Sequence, residues 1–565
     1  MDRITIKFAG ASGQGINATG HIFTKVLNSI GLQTFGYREY PSLIKGGVAS
    51  YQVDCSSKPI NSSTKKCNIL NVLSEASLHA YIFDLKQYGV LIVENNISEL
   101  TPEEEIFIKK NDITVININS VQIAKDSGGV AIMANAVLLG FLWRILKQDK
   151  EVIVDEILKY FAKKDIDKEA EKKCILAGYN SPLYRDEFSE NNSLPKPPFL
   201  HTNSLTITGN DALSLGALSA GVRAVYAYPM TPATSIFKFL GDTCKETGIL
   251  IKQAENEITA VQMALGSMYM GTRALTATSG GGFDLMIETI DCAGMSETPL
   301  VVVLAQRAGS GTGVPTWTGS ADIHTATTGG HGEFPRCVIA TSDAISNYTA
   351  IQNAFNIADI YQIPVILLTE KQIAEGLYSV DELPLPEKIE RNLTKGENRY
   401  TFTDTGISPR WIPTKGSKPY LATSDEHLED GTSTEDAQAI MQMTKKRMKK
   451  IDTLSKAIPE PQYFGNRNAK TVFVGCGSVK NTIIDVIREH KNYGYLHYEF
   501  LLPLKTKKIE ELIRKKKRLI AIENNQTGQL ANLITAHTGY VFEEKLLKYD
   551  GRPFFIEDIL DFINQ

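Results

Sequence analysis

Residues 209–336 constrain the fold more than any other part of the chain. Short apolar segments alternate here with segments rich in Ala, Gly and Ser, which predicts a sheet with closely packed helices on both faces. The unusual polar residues fall where the predicted strands end. Because open α/β sheets bind ligands at the carboxyl ends of their strands, we expect the chemistry of this chain at those ends.

The bulk properties of the chain exclude several classes of function. At 565 residues it is too long for one core, so we expect several domains. The net charge of -4 gives no electrostatic reason to expect binding to nucleic acid or to a membrane. The seven cysteines are scattered without a C-x-x-C pair, so we expect neither metal ligands nor an iron–sulfur cluster carried by this chain alone. The amino terminus enters a predicted strand without the pattern of a signal peptide, so we expect a cytoplasmic protein.

A glycine turn follows the first predicted strand, residues 4–8. Gly10, Gly13 and Gly15 lie between this strand and a predicted helix that begins near residue 17. Such a turn directs backbone N–H groups at an anion, so the three glycines are candidate contacts for a phosphate or an adenylate. The spacing differs from the dinucleotide pattern G-x-G-x-x-G. A dinucleotide site and a turn needed only for packing remain as alternatives.

The segment from Tyr228 and Pro229 to Thr231 and Pro232 follows a short apolar strand. The two prolines restrict the backbone and hold the Thr231 hydroxyl at the strand end. A second interpretation is that Thr231 caps the next helix.

Two charged residues occupy later strand ends. Glu257 heads a predicted helix; Glu255 is two residues earlier, so the two side chains diverge and only one can face a cleft. First-turn acids are also favoured by the helix dipole without any catalytic role. Arg307 follows a predicted apolar strand at residues 299–305, where a guanidinium is well shaped to hold a carboxylate. Between them, residues 279–282 predict a turn that a ligand can approach closely.

These motifs, taken in order, resemble those of the 2-oxoacid:ferredoxin oxidoreductases. The alpha-chain pattern of that family matches Gly-Asn-Asp-Ala at 209–212, Tyr-Pro-Met-Thr-Pro at 228–232, Glu257, Thr-Ala-Thr-Ser-Gly at 276–280, Gln-Arg at 306–307 and Thr-Gly-Val-Pro-Thr at 312–316. The amino-terminal segment resembles the family's gamma domain, where G-x-G-G-Q-G is usual. Ser12 replaces one of those glycines, whereas Gln14-Gly15 and Lys45-Gly46-Gly47 stand.

The resemblance implies a fused gamma–alpha subunit with a multi-domain α/β fold. The domains expected from it are a gamma-type α/β domain at 1–190, a linker at 191–204, a thiamine diphosphate pyrimidine-binding α/β domain at 205–380, a bridging segment at 381–465 and a transketolase C-terminal-like α/β domain at 466–565. In the last domain, Glu523-Asn-Asn and Thr527-Gly-Gln match the family, and we expect them to serve packing or an interface. The cationic run at 445–450 favours a solvated helix face.

The resemblance also implies roles for individual residues. Glu257 matches the glutamate that hydrogen-bonds the pyrimidine ring of thiamine diphosphate, and Tyr228 and Pro229 belong to the same cofactor site. Thr231 and Arg307 match residues that hold the carboxylate and carbonyl of a 2-oxoacid, so these two and Glu257 are the expected catalytic residues.

Thr316 matches a further substrate contact. The family often continues after it with a Glu-Gln-x-Asp run, whereas this chain has Trp-Thr-Gly-Ser-Ala-Asp at 317–322. The departure bears on the shape of the substrate pocket and therefore on the preferred substrate.

The chain has no Gly-Asp-Gly, the element that thiamine enzymes use to bind Mg²⁺ and the diphosphate. The resemblance therefore implies a beta subunit that brings this half-site and an iron–sulfur cluster, in an assembly of two alpha and two beta chains. The implied reaction is oxidative decarboxylation of a 2-oxoacid with coenzyme A as co-substrate and ferredoxin as acceptor. The fused architecture makes 2-oxoglutarate the first candidate substrate. Pyruvate or branched-chain 2-oxoacids, a non-catalytic scaffold and a nucleotide-binding regulator are the alternatives.

Overall fold

The computed structural model describes residues 3–42, 47–95, 100–162, 164–189, 191–196, 204–414 and 417–564. They form a multi-domain α/β fold with three sheets, which confirms the predicted fold class. Lys45, Gly46 and much of the predicted linker lie outside the described residues. Two compact units are Met1–Ile207 with Gly376–Glu382 and Phe555–Gln565, and Thr208–Glu375 with Leu383–Phe554. The finer division into five parts stays a prediction.

The strands are β1 (Arg3–Ala11), β2 (Gln33–Glu39), β3 (Val48–Ser56), β4 (Cys67–Val72), β5 (Leu85–Glu94), β6 (Thr114–Ile118), β7 (Leu205–Thr208), β8 (Ala224–Ala227), β9 (Leu250–Gln253), β10 (Ala274–Thr278), β11 (Leu300–Gln306), β12 (Cys337–Ala340), β13 (Pro364–Glu370), β14 (Leu377–Val380), β15 (Gln462–Gly465), β16 (Thr471–Gly475), β17 (Tyr493–His497), β18 (Phe500–Leu502), β19 (Arg518–Glu523) and β20 (Glu544–Leu547).

The α-helices are α1 (Ile16–Ser29), α2 (Glu75–Tyr81), α3 (Pro102–Lys110), α4 (Ser120–Asp126), α5 (Ala134–Ile145), α6 (Lys150–Tyr160), α7 (Lys168–Tyr179), α8 (Gly209–Ser219), α9 (Thr234–Asp242), α10 (Cys244–Thr247), α11 (Glu257–Tyr269), α12 (Gly280–Met295), α13 (Ile323–Thr328), α14 (Ala344–Tyr361), α15 (Lys371–Glu375), α16 (Ala437–Ala457), α17 (Val479–Glu489), α18 (Lys507–Arg514), α19 (Gln529–Thr538) and α20 (Ile556–Ile563).

The first unit is built on a sheet in the order β6-β5-β4-β1-β3-β2-β14-β7. Its central strand β1 is antiparallel to β3 and parallel to β4, and nearly all of its residues are buried. Phe23 of α1 meets Trp143 of α5 edge to face at 6.1 Å inside the core. Strand β14 and helix α20 come from distant parts of the sequence but belong to this unit.

The second unit contains the two other sheets, in the orders β18-β12-β13-β11-β10-β8-β9 and β15-β17-β16-β19-β20. Strands β9, β8, β10, β11, β13 and β12 pair in parallel, so their carboxyl ends lie at one edge of the sheet. The predicted close packing of small-residue helices is confirmed. A Cβ added at Gly216 of α8 would lie 2.3 Å from the Tyr348 carbonyl oxygen of α14.

The structure corrects two local predictions. Gly280 to Gly282 form the first turn of α12 rather than a separate turn. The cationic run at 445–450 lies inside α16 and is not a fully solvated face, because Lys446, Arg447 and Lys450 are buried. Buried carboxylates account for this, because Glu297 pairs with both lysines and Glu426 pairs with Arg447.

Among the described residues, no single helix is long and apolar enough to cross a membrane. The segments Ser120–Asp126 and Ala131–Ile145 pass that test only as a pair bent by 118°.

Candidate active site

The loop after β8 carries Tyr228, Pro229 and Thr231. Asn210 of α8 is fully buried, and its Nδ2 donates hydrogen bonds to the Pro232 carbonyl oxygen at 2.9 Å and the Ser235 hydroxyl at 2.7 Å. The loop is therefore held from the Gly-Asn-Asp motif that begins this unit. Tyr228 is 40% exposed, so its ring borders solvent at the strand end.

Thr231 does not cap the helix that follows, so that interpretation is wrong. Helix α9 begins at Thr234, and its N-cap residue is Ala233, which has no side-chain cap. The helix starts two residues later than capping by Thr231 requires, and this leaves the threonine in the loop.

Arg307 and Thr231 are brought into direct contact. The Arg307 guanidinium, which follows β11, donates from Nη1 to the Thr231 carbonyl oxygen at 3.0 Å. Burial lowers the pKa of Arg307, and Asp322 opposes that effect. Arg307 forms no ion pair with any residue that the structure describes, so part of its hydrogen-bonding capacity is open to an anion.

Glu257 is the first residue of α11 and is 3% exposed. Its Oε1 is buried without a hydrogen-bond partner among the described residues. Glu255, by contrast, is exposed, and Asn256 between them caps the helix by accepting from Thr259 N at 2.9 Å. An unpartnered buried carboxylate oxygen is costly, which is the signature of a group that a ligand completes.

Gly282 of α12 leaves the space beside Glu257. A Cβ at this position would lie 2.6 Å from Glu257 Oε1 and 2.2 Å from Thr278 Oγ1. No side chain fits there without displacing the carboxylate. The glycine run therefore serves the position of Glu257, and this agrees with a ligand that approaches the strand ends closely.

Thr316 is 4% exposed and lies in the loop after β11. The loop begins with a bridge between Ala308 and Val314. Its later part, to Asp322, borders a cavity of about 440 Å³. That cavity is lined by residues 280, 281, 283, 284, 308–311, 318, 319, 321, 322, 325, 524–526 and 549.

Sequence reasoning missed two acids of this cavity as site residues, Asp284 and Asp322. Burial raises the pKa of Asp322 to about 6, Asp284 adds to this effect and Arg307 opposes it. Asp284 stands in the middle of an apolar helix sequence and carries no motif that would have singled it out. The Glu523-Asn-Asn motif is expected to serve packing or an interface, and Asn524 and Asn525 also line this cavity.

The amino-terminal glycine turn lies in the first unit. Gly13 and Gly15 have φ of 99° and 79°, and Gly15 is the N-cap of α1, which has no side-chain cap. Gln14 braces the turn by accepting from Ala11 N at 2.6 Å and donating to the Leu73 carbonyl oxygen at 3.2 Å. Gly10 is close-packed, because a Cβ there would lie 2.6 Å from Gln14 Oε1. The open N–H groups of α1 suit an anion; the role of the three glycines stays a prediction.

No group of three or more His, Cys, Asp or Glu side chains suited to a metal ion occurs in the part of the chain that the structure describes.

Comparison with known proteins identifies the family. The model described as "Pyruvate flavodoxin/ferredoxin oxidoreductase, thiamine diP-bdg" matches residues 215–446, and "Pyruvate ferredoxin/flavodoxin oxidoreductase" matches residues 5–181. The "2-oxoacid:ferredoxin oxidoreductase subunit alpha" of Sulfolobus sp is 30% identical, over 99% of this chain and 96% of that one. The "2-oxoglutarate oxidoreductase subunit KorA" of Mycobacterium tuberculosis is 27% identical, over 100% and 91%.

A solved structure agrees over the full length. The 2-oxoglutarate:ferredoxin oxidoreductase from Magnetococcus marinus, with 2-oxoglutarate, coenzyme A and succinyl-CoA bound, has a TM-score of 0.90 and 26% identity. It covers 100% of this chain, which covers 99% of that one. The chain therefore belongs to the 2-oxoacid:ferredoxin oxidoreductases, an oxidoreductase family, as an alpha subunit.

Proposed function

We propose that this chain supplies the pyrimidine half of a thiamine diphosphate site in an enzyme that oxidatively decarboxylates a 2-oxoacid. Coenzyme A and ferredoxin are the other reactants. The observation that carries the proposal is the buried, unpartnered Oε1 of Glu257 at the carboxyl edge of the sheet. The matched thiamine diphosphate-binding family model spans this residue.

The residues present fit this cofactor. Glu257 offers one carboxylate oxygen to a ring nitrogen, and the absence of a side chain at Gly282 leaves room for that carboxylate. Tyr228 and Pro229, at the neighbouring strand end, border the ring. When bound, thiamine diphosphate supplies the electron sink for decarboxylation.

Arg307 and Thr231 orient the substrate. One Nη group of Arg307 is held by the Thr231 carbonyl oxygen at 3.0 Å, which fixes the plane of the guanidinium. The remaining N–H groups then pair with the carboxylate of the 2-oxoacid. The Thr231 hydroxyl contacts the keto oxygen. The Thr316 hydroxyl makes a further contact with the substrate.

Gly10, Gly13 and Gly15 contact a phosphate or adenylate group of coenzyme A. The uncapped amino terminus of α1 supports this assignment. The Magnetococcus marinus structure contains coenzyme A, which supports the choice of co-substrate but not the residues.

A beta subunit completes the enzyme by holding Mg²⁺, the diphosphate and an iron–sulfur cluster, in an assembly of two alpha and two beta chains in the cytoplasm. Support comes from the relatives, which are named as alpha subunits. The chain purified alone should therefore be colourless and inactive. Brown colour or turnover in the isolated chain would contradict this division of labour.

2-Oxoglutarate is the first candidate substrate. Relatives named for 2-oxoglutarate and the neighbour with bound 2-oxoglutarate favour it. Pyruvate and branched-chain 2-oxoacids are the rivals, because several relatives are named only for 2-oxoacids. The ratio of kcat/KM values for the three classes decides between them.

A substitution at Glu257 tests the proposal. In the complex co-purified with the chain encoded beside it, Glu257→Ala should lower 2-oxoacid-dependent ferredoxin reduction by at least about 100-fold, with assembly intact. Glu255→Ala is the matched control, because that residue is exposed at the same helix start and should keep its activity. Unchanged turnover in the Glu257 variant would refute its role. A wild-type complex without turnover on any 2-oxoacid would favour a scaffold.

A further inference from the structure

The loop at residues 316–322 is held by side chains of residues 524–529, which follow β19 of the five-stranded sheet in the second unit. We propose that Asn525 and Gln529 are positioning residues for this loop, and that they thereby set the affinity for the 2-oxoacid. The inference rests on the proposed function, because Thr316 in this loop is the proposed substrate contact. It assigns the Glu523-Asn-Asn and Thr527-Gly-Gln motifs a part in substrate binding.

Gln529 makes the most direct connection. It is the first residue of α19, and its Nε2 donates to the Ala321 carbonyl oxygen at 2.7 Å. Its Oε1 accepts from the His324 backbone N–H at 2.9 Å. These two bonds lie on either side of Asp322, so one side chain fixes the backbone on both sides of that acid.

Two neighbouring residues add a second connection. Asn525 Nδ2 donates to the Ser320 carbonyl oxygen at 3.2 Å. The Ser320 backbone N–H donates to the Asn524 carbonyl oxygen at 2.9 Å. Segment 524–529 therefore contacts the backbone of residues 320–324 through one backbone and three side-chain hydrogen bonds.

The holding segment is itself rigid. Glu523 is 2% exposed, and its carboxylate accepts from Asn525 Nδ2, Leu530 N and Ala531 N, each at 2.9 Å. Asn525 Oδ1 accepts in turn from the Gly528 N–H at 2.7 Å. Since these bonds form a closed network, the segment can impose a position on the loop rather than follow it.

The loop is tied from the opposite side as well. Asp322 N–H donates to Gln306 Oε1 at 3.0 Å, and Gln306 directly precedes Arg307. Directly after Thr316, the Arg552 guanidinium lies 3.4 Å from the centre of the Trp317 ring. The loop is therefore held on one side by β11, which precedes Arg307, and on the other by the region of the five-stranded sheet. Loss of either support should displace Thr316 and Asp322 relative to Arg307.

Steady-state kinetics of the assembled complex test the inference. Gln529→Ala should raise KM for the 2-oxoacid by about 10-fold and change kcat less than about 2-fold, because the lost contact is made equally in the ground and transition states. KM for coenzyme A should not change. Gln529→Glu keeps the acceptor for His324 but sets a carboxylate oxygen against the Ala321 carbonyl oxygen, so its KM should rise at least as much as that of Gln529→Ala. The matched control is Asn532→Ala, on the exposed side of the same helix, where Nδ2 donates to the Thr527 carbonyl oxygen.

Hydrogen exchange gives a readout that does not depend on activity. Peptides covering 317–324 should exchange faster in Gln529→Ala than in Asn532→Ala, while peptides from α14 stay unchanged. An unchanged KM in Gln529→Ala overturns the inference, and so does an equal rise in the control. A fall in kcat together with a rise in both KM values also overturns it, since that marks general destabilisation. A wild-type complex inactive on 2-oxoacids instead defeats the proposed function, and the exchange result still tests the hold on the loop.

Discussion

At the scale of single residues, the candidate site is defined by atoms that the protein leaves without partners. Glu257 Oε1 is buried and unpartnered among the described residues, and Arg307 uses one Nη on a backbone carbonyl oxygen. Glu257 is packed closely against Gly282, and Arg307 is hydrogen-bonded to the Thr231 carbonyl oxygen. The consequences of changing those neighbours are therefore specific.

Gly282→Ala should disable the site without replacing a catalytic side chain. The new methyl group would overlap Glu257 Oε1 and Thr278 Oγ1. Overpacking of this kind costs about 1–3 kcal/mol, so we expect kcat/KM for the 2-oxoacid to fall about 10-fold or more. Gly281→Ala is the control, since the nearest atom to its Cβ is the Gly311 carbonyl oxygen at 3.9 Å. Equal activity of the two variants would contradict the packing argument.

Asp322 should make stability depend on pH. Its pKa is raised from 3.8 to about 6 in the folded chain, by burial first and then by Asp284. The folded state therefore holds this proton more tightly than the unfolded state, and stability falls as pH rises from about 4 to about 6. Asp322→Asn should raise Tm above about pH 6 and lose that advantage below about pH 4. Thermal melts across this range check the sign, and a constant difference at every pH would refute it.

At the scale of elements, α16 illustrates how a charge run can be structural. Lys446 and Lys450 contact the two oxygens of the fully buried Glu297 at 2.6 and 2.5 Å. Arg447 pairs with Glu426 at 2.5 Å. Buried charges thus tie this helix to Glu297, just after α12, and to Glu426 in the coil that precedes the helix.

Glu297→Gln should loosen this helix. Removing one member of a buried ion cluster leaves uncompensated cations and costs about 3 to 5 kcal/mol. We expect a lower Tm and faster tryptic cleavage in residues 383–436. Lys449→Ala, an exposed position on the same helix, should leave both unchanged. A Glu297 variant as resistant to trypsin as wild type would show that the cluster does not hold the coil.

At the scale of the whole molecule, the first unit is assembled from three separated stretches of sequence. Strand β14 pairs with β2, and Glu557 of α20 accepts a hydrogen bond from Lys65 N at 2.9 Å. Both elements come after the second unit has begun. The first unit therefore depends on residues that a division by sequence assigns elsewhere.

A protease site inserted after Lys196 should test this connectivity. After cleavage, the two fragments should elute together in gel filtration, because β14 and α20 remain in the first unit. A denaturing gel should show the two fragments separately. If the fragments elute as two species, then β14 and α20 do not hold the first unit together.

The sequence by itself determined the fold class, the family and the segments after the strands in which Thr231, Glu257, Arg307 and Thr316 lie. Small-residue helices, apolar strands and proline-bounded loops are local patterns, so each can be recognised from neighbouring residues in the sequence. Arg307 was recognisable because a charged residue at the end of an apolar segment is unusual, whereas Glu257 was assigned from the family resemblance, since an acid in the first turn of a helix is common.

Only the tertiary structure decided which distant residues meet. Asn525 and Gln529 reach the loop at 320–324, Glu297 neutralises cations about 150 positions away, and β14 completes a sheet that begins at Arg3. A hydrogen bond or ion pair between distant segments leaves no regular pattern of residues in the sequence, because its geometry exists only after both segments have folded. The same holds for Asp322, whose raised pKa comes from its surroundings rather than from its neighbours in the chain.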